Sequence, residues 1–206
     1  MGLTKSIIRD RARALLDEAV AGFWSNTELE NWIDDAAIDI STKTYCCEVS
    51  GSVTLATGVQ IYNVSTDYIK ILGAVYASEG LKQITPWMTG LQYAVSTGAP
   101  KYFFDIIDKV GFYPVPTTTE NGTIVTVYYA QVTSNIANIP VKFQTPAILF
   151  VTFMGLAKER QYTKAGQLYQ LYIQSLNLDK IEIAAENTLQ PAPQNQYTLK
   201  LVGPQR

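Results

Sequence analysis

Histidine does not occur in this chain of 206 residues. Its absence excludes Ser-His-Asp and Cys-His nucleophile systems and every histidine-ligated metal site. Cysteine is nearly absent: Cys46 and Cys47 are the whole complement, and they are adjacent. Neighbouring cysteines rarely meet disulfide geometry, and no second pair completes a zinc site, so they read as free thiols at a helix end in a reducing compartment. Neither GxGxxG nor GxxxxGK[ST] occurs, so no glycine-rich phosphate loop is expected. The longest strongly apolar run, residues 147–157, falls short of the roughly 20 residues a bilayer span needs. The opening MGLTKSIIRDRAR alternates charge and has no apolar centre, unlike a signal peptide. The reading is a protein made in a cytoplasm, with no membrane span and no cofactor.

Charge is scarce as well. Asp, Glu, Lys and Arg make up 17% of the chain, against about 25% in an average soluble domain. Sixteen basic and 18 acidic residues leave a net charge of −2, where a dedicated nucleic-acid binder would show a basic excess. Thr, Gln, Asn and Tyr fill the deficit, which implies a surface that is polar but largely uncharged.

Helical periodicity marks both ends of the chain. Residues 3–19 place Ile8, Ala12, Leu15, Leu16 and Ala19 on one face, with Lys5, Arg9, Arg13 and Asp17 mostly elsewhere. Ser25-Asn26-Thr27-Glu28 is a capping-box signal, with Trp24 and Leu29 placed as a hydrophobic staple. It opens a helix over 26–46 that carries Leu29, Trp32, Ile33, Ala36, Ala37 and Ile40 inward. Residues 147–161 are apolar nearly all round, as in a buried helix, and 164–186 form a fourth helix with Ala165, Leu168, Tyr169, Tyr172, Ile173, Leu176 and Ile183 inside.

Between them, residues 48–131 alternate in the manner of strands. Segments 49–55 and 59–64 suggest a hairpin across Ala56-Thr57-Gly58, and 68–77 and 81–84 a third and fourth strand. Residues 86–95 suggest a short helix. A second hairpin runs over 102–107 and 110–113, stopped by Pro114 and Pro116, and 123–131 is a strand with Ile124, Thr126, Tyr128 and Ala130 on one face. About seven strands bracketed by two helices on each side give an α+β fold: a helical bundle beside a small antiparallel β domain, in one domain over 1–187. Residues 188–206 form an extended arm. Its prolines at 191 and 193 keep it open, and Tyr197, Leu199 and Leu201 alternate with Thr198, Lys200 and Val202 in a strand pattern with no hairpin partner nearby.

Nothing among these segments assembles a catalytic constellation. Glu28, Asp35 and Asp39 lie at helical spacing on the polar side of the second helix, with Glu30 and Asp34 beside them and Lys43 as the nearby cation. Such a row reads as a solvated helix face more readily than as a metal site, because no nucleophile or further ligand accompanies it. Asp105 and Asp108 suit turn chemistry. The 13 tyrosines fit core and interface packing better than base or sugar stacking.

The order of segments carries more. The run from Phe23 through Trp24, Ser25, Glu28, Leu29, Trp32 and Ile33 to Ala36 resembles the opening of phage head-to-tail adaptor proteins, where a WS-x-x-E-L-x-x-W-I helix leads into a strand block. Tyr62 with Asp67-Tyr68-Ile69-Lys70, Gly98-Ala99-Pro100-Lys101-Tyr102-Phe103 and Phe112-Tyr113-Pro114-Val115-Pro116 follow in the same order. Ala157-Lys158-Glu159-Arg160 and the Tyr169/Tyr172 helix resemble the family's closing pair. The resemblance implies a structural virion protein at the head–tail junction: a homo-oligomeric ring, usually a dodecamer, bound to the portal above and a tail or nozzle protein below. DNA would pass through its channel without specific binding, past an acidic face of Glu28, Asp35 and Asp39 that fronts either the channel or solvent. The arm would dock on another subunit or on the portal through Tyr197, Leu199, Leu201 and Val202. Two other readings stay open: a β-rich tail module that recognises a glycan or another tail protein, and a hydrolase using Asp34, Asp35 and Asp39.

Overall fold

The computed structural model describes residues 3–18, 21–85 and 96–188, with side chains to residue 177. Thr4 caps the first helix, α1 (Lys5–Leu15), by accepting a hydrogen bond from the Ile7 N–H. The helix ends short of residue 19, as Asp17 turns left-handed at φ 56°. Ile8, Ala12 and Leu16 are buried as the periodicity predicts, but Leu15 points out at 57% exposure and Arg13 points in. At the next helix, α2 (Asn26–Thr44), Ser25 Oγ accepts from the Glu28 N–H at 3.1 Å. The reciprocal half of the box is missing, because Lys158 draws the Glu28 carboxylate away at 2.6 Å. Trp24 and Leu29 are both buried in the core next to the cap, so the staple holds. A left-handed Tyr45 ends α2 two residues before position 46.

The C-terminal pair is α3 (Gln144–Lys158) and α4 (Tyr162–Thr188). Both start earlier than their apolar periods indicate. Pro146 falls in the first turn of α3, where a missing N–H costs no intrahelical bond. None of the apolar residues of α3 is exposed; it is the central helix, packed against α1, α2 and α4. Ile8, Leu29, Ile33, Ile40, Phe143, Val151 and Tyr172 form the heart of this bundle. On α4, Ala165, Tyr172 and Leu176 are buried, whereas Tyr169 is 40% exposed.

Among the described residues, eight strands make up the β region: β1 (Glu48–Thr54), β2 (Ile61–Asn63), β3 (Tyr68–Tyr76), β4 (Glu79–Gly80), β5 (Lys82–Gln83), β6 (Tyr102–Ile106), β7 (Lys109–Tyr113) and β8 (Ile124–Gln131). They form two four-stranded sheets, in the orders β1-β8-β3-β4 and β2-β7-β6-β5. All pairs are antiparallel except the short β5–β6 contact, which is parallel. Val53, Leu55, Ile71, Val125 and Val127 of the first sheet meet Phe103, Val110 and Phe112 of the second in one core, so the sheets stack as a small sandwich. On the other side of the second sheet the Phe104 ring lies over its cross-strand partner Gly111, where a Cβ would come within 2.1 Å of it.

The hairpin expected between 49–55 and 59–64 does not form. β1 pairs with β8 and β2 with β7, so Ala56-Thr57-Gly58 is a corner that carries the chain from one sheet to the other. Alternation shows that a segment is a strand, but the longer non-local strands offer the better ladders. The strand expected over 81–84 is present as the short β5 beside β6, and β4, just before it, pairs with β3 in the other sheet. The second hairpin is present, turning at Ile107-Asp108 with Asp108 at φ 60°. Helix 86–95 lies outside the described residues. The α+β fold class, helices bracketing a strand block, is the one observed.

Candidate functional site

The joint between α1 and α2 is built on Arg13, 4% exposed. Its guanidinium donates to Glu18 Oε2 at 2.7 Å, the Trp24 carbonyl at 2.8 Å and Asn26 Oδ1 at 2.9 Å. Glu18 in turn accepts from the Phe23 N–H. One ion pair thereby fixes the loop that delivers Trp24 into the core, where the indole Nε1–H donates to the Gly155 carbonyl of α3 at 3.3 Å. Sequence reasoning set Arg13 on the outer side. The signal available was its place between Ala12 and Leu16 in the apolar stripe, with a carboxylate five residues on.

The acidic side of α2 is a seam between helices. Asp34 takes Lys5 at 2.6 Å and Glu30 takes Arg9 at 2.9 Å, both cations from α1. Glu28 takes Lys158 of α3, and Asp39 takes Lys43 at 2.7 Å. Asp39 also accepts from the Tyr172 hydroxyl of α4. Of the candidate residues Glu28, Asp35 and Asp39, the first and last are committed to internal pairs; Asp35 is exposed and has no ion-pair partner among the described residues. These pairs are partly solvated, so each contributes at most about 1 kcal/mol. Their effect is to register three helices on α2. Asp34, Asp35 and Asp39 do not converge on a cleft, and no group of three metal-ligating side chains occurs among the described residues.

Around Tyr172 the rings of Phe150, Phe153 and Tyr169 meet edge-on or tilted at centroid distances of 4.9 to 6.4 Å. Burial and then the Asp39 hydrogen bond push the Tyr172 phenol well above its ordinary value, so it stays a donor. In the sandwich, Asp105 accepts from the Tyr68 hydroxyl and, at 3.3 Å, from the Ile71 N–H. It ties the two sheets together, where turn chemistry was expected of it; Asp108 does take the turn.

Cys46 and Cys47 are free, with sulfurs 3.9 Å apart. The hydrogen bond from Cys47 pulls the half-buried Cys46 thiol down to about 7. That bond and burial push the Cys47 thiol up.

The remaining candidates, Tyr197, Leu199, Leu201 and Val202, lie outside the described residues. No helix among the described residues is long and apolar enough to cross a membrane. A comparison with curated proteins finds no match. The family model described as SU10 adaptor protein matches residues 4–202, which takes in the bundle, the sandwich and most of the C-terminal segment. With nearly the whole chain matched, this protein belongs to the SU10 adaptor protein family, a family of phage adaptors.

Proposed function

We propose that this phage adaptor assembles as a ring, a dodecamer, between the portal and the tail or nozzle protein of the virion, and that genome DNA passes through the ring. The observation that carries this reading is the family match over residues 4–202. Two physical features support it. Four of the five carboxylates on α2 are neutralised by lysines and arginines of the same fold. A net charge of −2 adds no attraction for phosphate, so DNA would slide past without adhering. Asp35 is the candidate for a channel-facing or solvent-facing charge. The C-terminal arm docks on another subunit or on the portal, with Tyr197, Leu199, Leu201 and Val202 as its anchors.

Deleting residues 188–206 tests the arm. The expected product keeps its helix content by circular dichroism and fails to co-purify with the portal. Normal attachment by the truncated chain contradicts the assignment. Tight binding of duplex DNA by the isolated protein at physiological salt contradicts the sliding channel.

A further inference from the structure

Among the described residues, the first sheet leaves one long edge uncovered: β1 runs for seven residues and pairs on one side only, with β8. At its ends the Gln131 N–H donates to the Cys47 carbonyl at 2.9 Å and the Leu55 N–H to the Thr123 carbonyl at 2.8 Å. The register between them is unbroken. With the two-residue period of an antiparallel ladder, the odd-numbered residues bond to β8 and the even-numbered ones turn their N–H and C=O groups to the free edge. Those are Glu48, Ser50, Ser52 and Thr54, all with exposed side chains. The usual devices that blunt an edge are weak here: β1 contains neither lysine nor proline, and Glu48 is its one charge. Beside it, Gly51, Ser52, Val53, Asn63, Val64 and Ser65 line an open slot of about 80 Å³ between the edges of the two sheets.

We infer that this edge receives residues 197–202 from a neighbouring copy of the same chain, which adds a fifth, antiparallel strand to the first sheet. The inference deepens the ring reading above and rests on it. The register follows from charge: Lys200 is the one charged residue of that segment and Glu48 the one charged residue of β1. Setting them opposite each other puts Thr198 beside Ser50, all on the solvent face. The alternate residues then face inward, with Leu199 against Val49 and Tyr197 opposite Gly51 at the slot, beside the Tyr129 ring that already lies over this glycine. Residues 189–196 separate α4 from this strand, and eight residues extended span about 26 Å. Pro191 and Pro193 favour an open linker over one that folds back onto its own subunit. An arm that leaves one subunit for the edge of the next makes a head-to-tail contact, the kind that closes a ring.

Two full-length variants test this by mixing. Ser50→Pro removes an outward N–H and spares the β8 ladder, so it blocks the edge and keeps the arm. Leu199→Asp/Leu201→Asp blocks the arm and keeps the edge. Native mass spectrometry is expected to show each variant alone as a monomer and the equimolar mixture as a one-to-one heterodimer. Glu48→Lys is expected to weaken self-association at least tenfold, and Glu48→Lys/Lys200→Glu to restore it. Should Ser50→Pro lose its fold by circular dichroism, amide exchange of the wild type reads the same edge: protection at Ser50 and Ser52 rises tenfold or more as concentration drives association. Rings formed by both blocked variants overturn the inference and leave the ring reading standing. A mixture without heterodimer, with exchange at Ser50 and Ser52 unchanged by concentration, overturns it as well, and a wild type that forms no ring even with portal present overturns the ring reading separately.

Discussion

Replacing Arg13 with methionine removes the guanidinium and keeps most of the stem volume, which isolates the polar contribution. Three acceptors then lose the guanidinium: the Trp24 carbonyl, Asn26 Oδ1 and Glu18 Oε2, the last keeping only the long bond from the Trp24 N–H at 3.4 Å. Breaking a buried pair by removing one partner costs about 3–5 kcal/mol, chiefly through the charge left behind. The lower end applies here, since the Glu18 side chain keeps 16% exposure and the Phe23 N–H as a donor. About 3 kcal/mol in a chain of this length corresponds to a melting temperature lower by roughly 6–12 °C. Differential scanning calorimetry reads that shift. The double change Arg13→Met/Glu18→Gln removes the stranded charge, so it is expected to be less destabilised than the sum of the singles, by about 1–3 kcal/mol of coupling. A melting temperature within 2 °C of wild type, or strictly additive singles, refutes the account of Arg13 as the clamp between α1 and α2.

The remaining predictions concern other parts of the fold. Trp24→Ala should cost about 3–5 kcal/mol in chemical denaturation, as for a buried aromatic, and Trp32→Ala distinctly less, because Trp24 is 4% exposed and Trp32 is only half-buried. Equal losses would contradict that ranking. Gly111→Ala drives a methyl group into the Phe104 ring and should cost about 1–3 kcal/mol or more; Gly111→Ala/Phe104→Leu should recover part of it in the same assay. Alkylation of Cys46 by iodoacetamide should rise through a midpoint near pH 7, with Cys47 inert below pH 9. The Cys46 value lies below its ordinary 9.0, so the thiolate's contribution to stability is present above pH 9 and lost as pH falls through 7. A midpoint above pH 8.5 would contradict the Cys47 hydrogen bond.

Local signals in the sequence carried the helices and the strands, and long-range choices did not. Ser25 with Glu28 marks the start of α2 because the cap is made within four residues. The missing half of the box depends on Lys158, 130 positions away, which no local pattern can report. Likewise, the alternation of 49–55 and 59–64 identifies two strands, yet their partners are β8 and β7, more than 45 residues on. The acidic row on α2 was visible as a row. Its meaning was not, since Lys5, Arg9 and Lys158 reach it from other helices and turn an apparent surface charge into a seam. Arg13 was misread because amphipathic reasoning sends charge outward, whereas a buried loop carbonyl needs a donor.

The central claim is that this adaptor forms a ring on the portal. Native mass spectrometry of the full-length protein mixed with purified portal addresses it most directly, because it counts the copies bound. The account predicts one discrete complex with a closed ring of copies, twelve, on each portal. A chain that stays monomeric and leaves the portal unoccupied would contradict it.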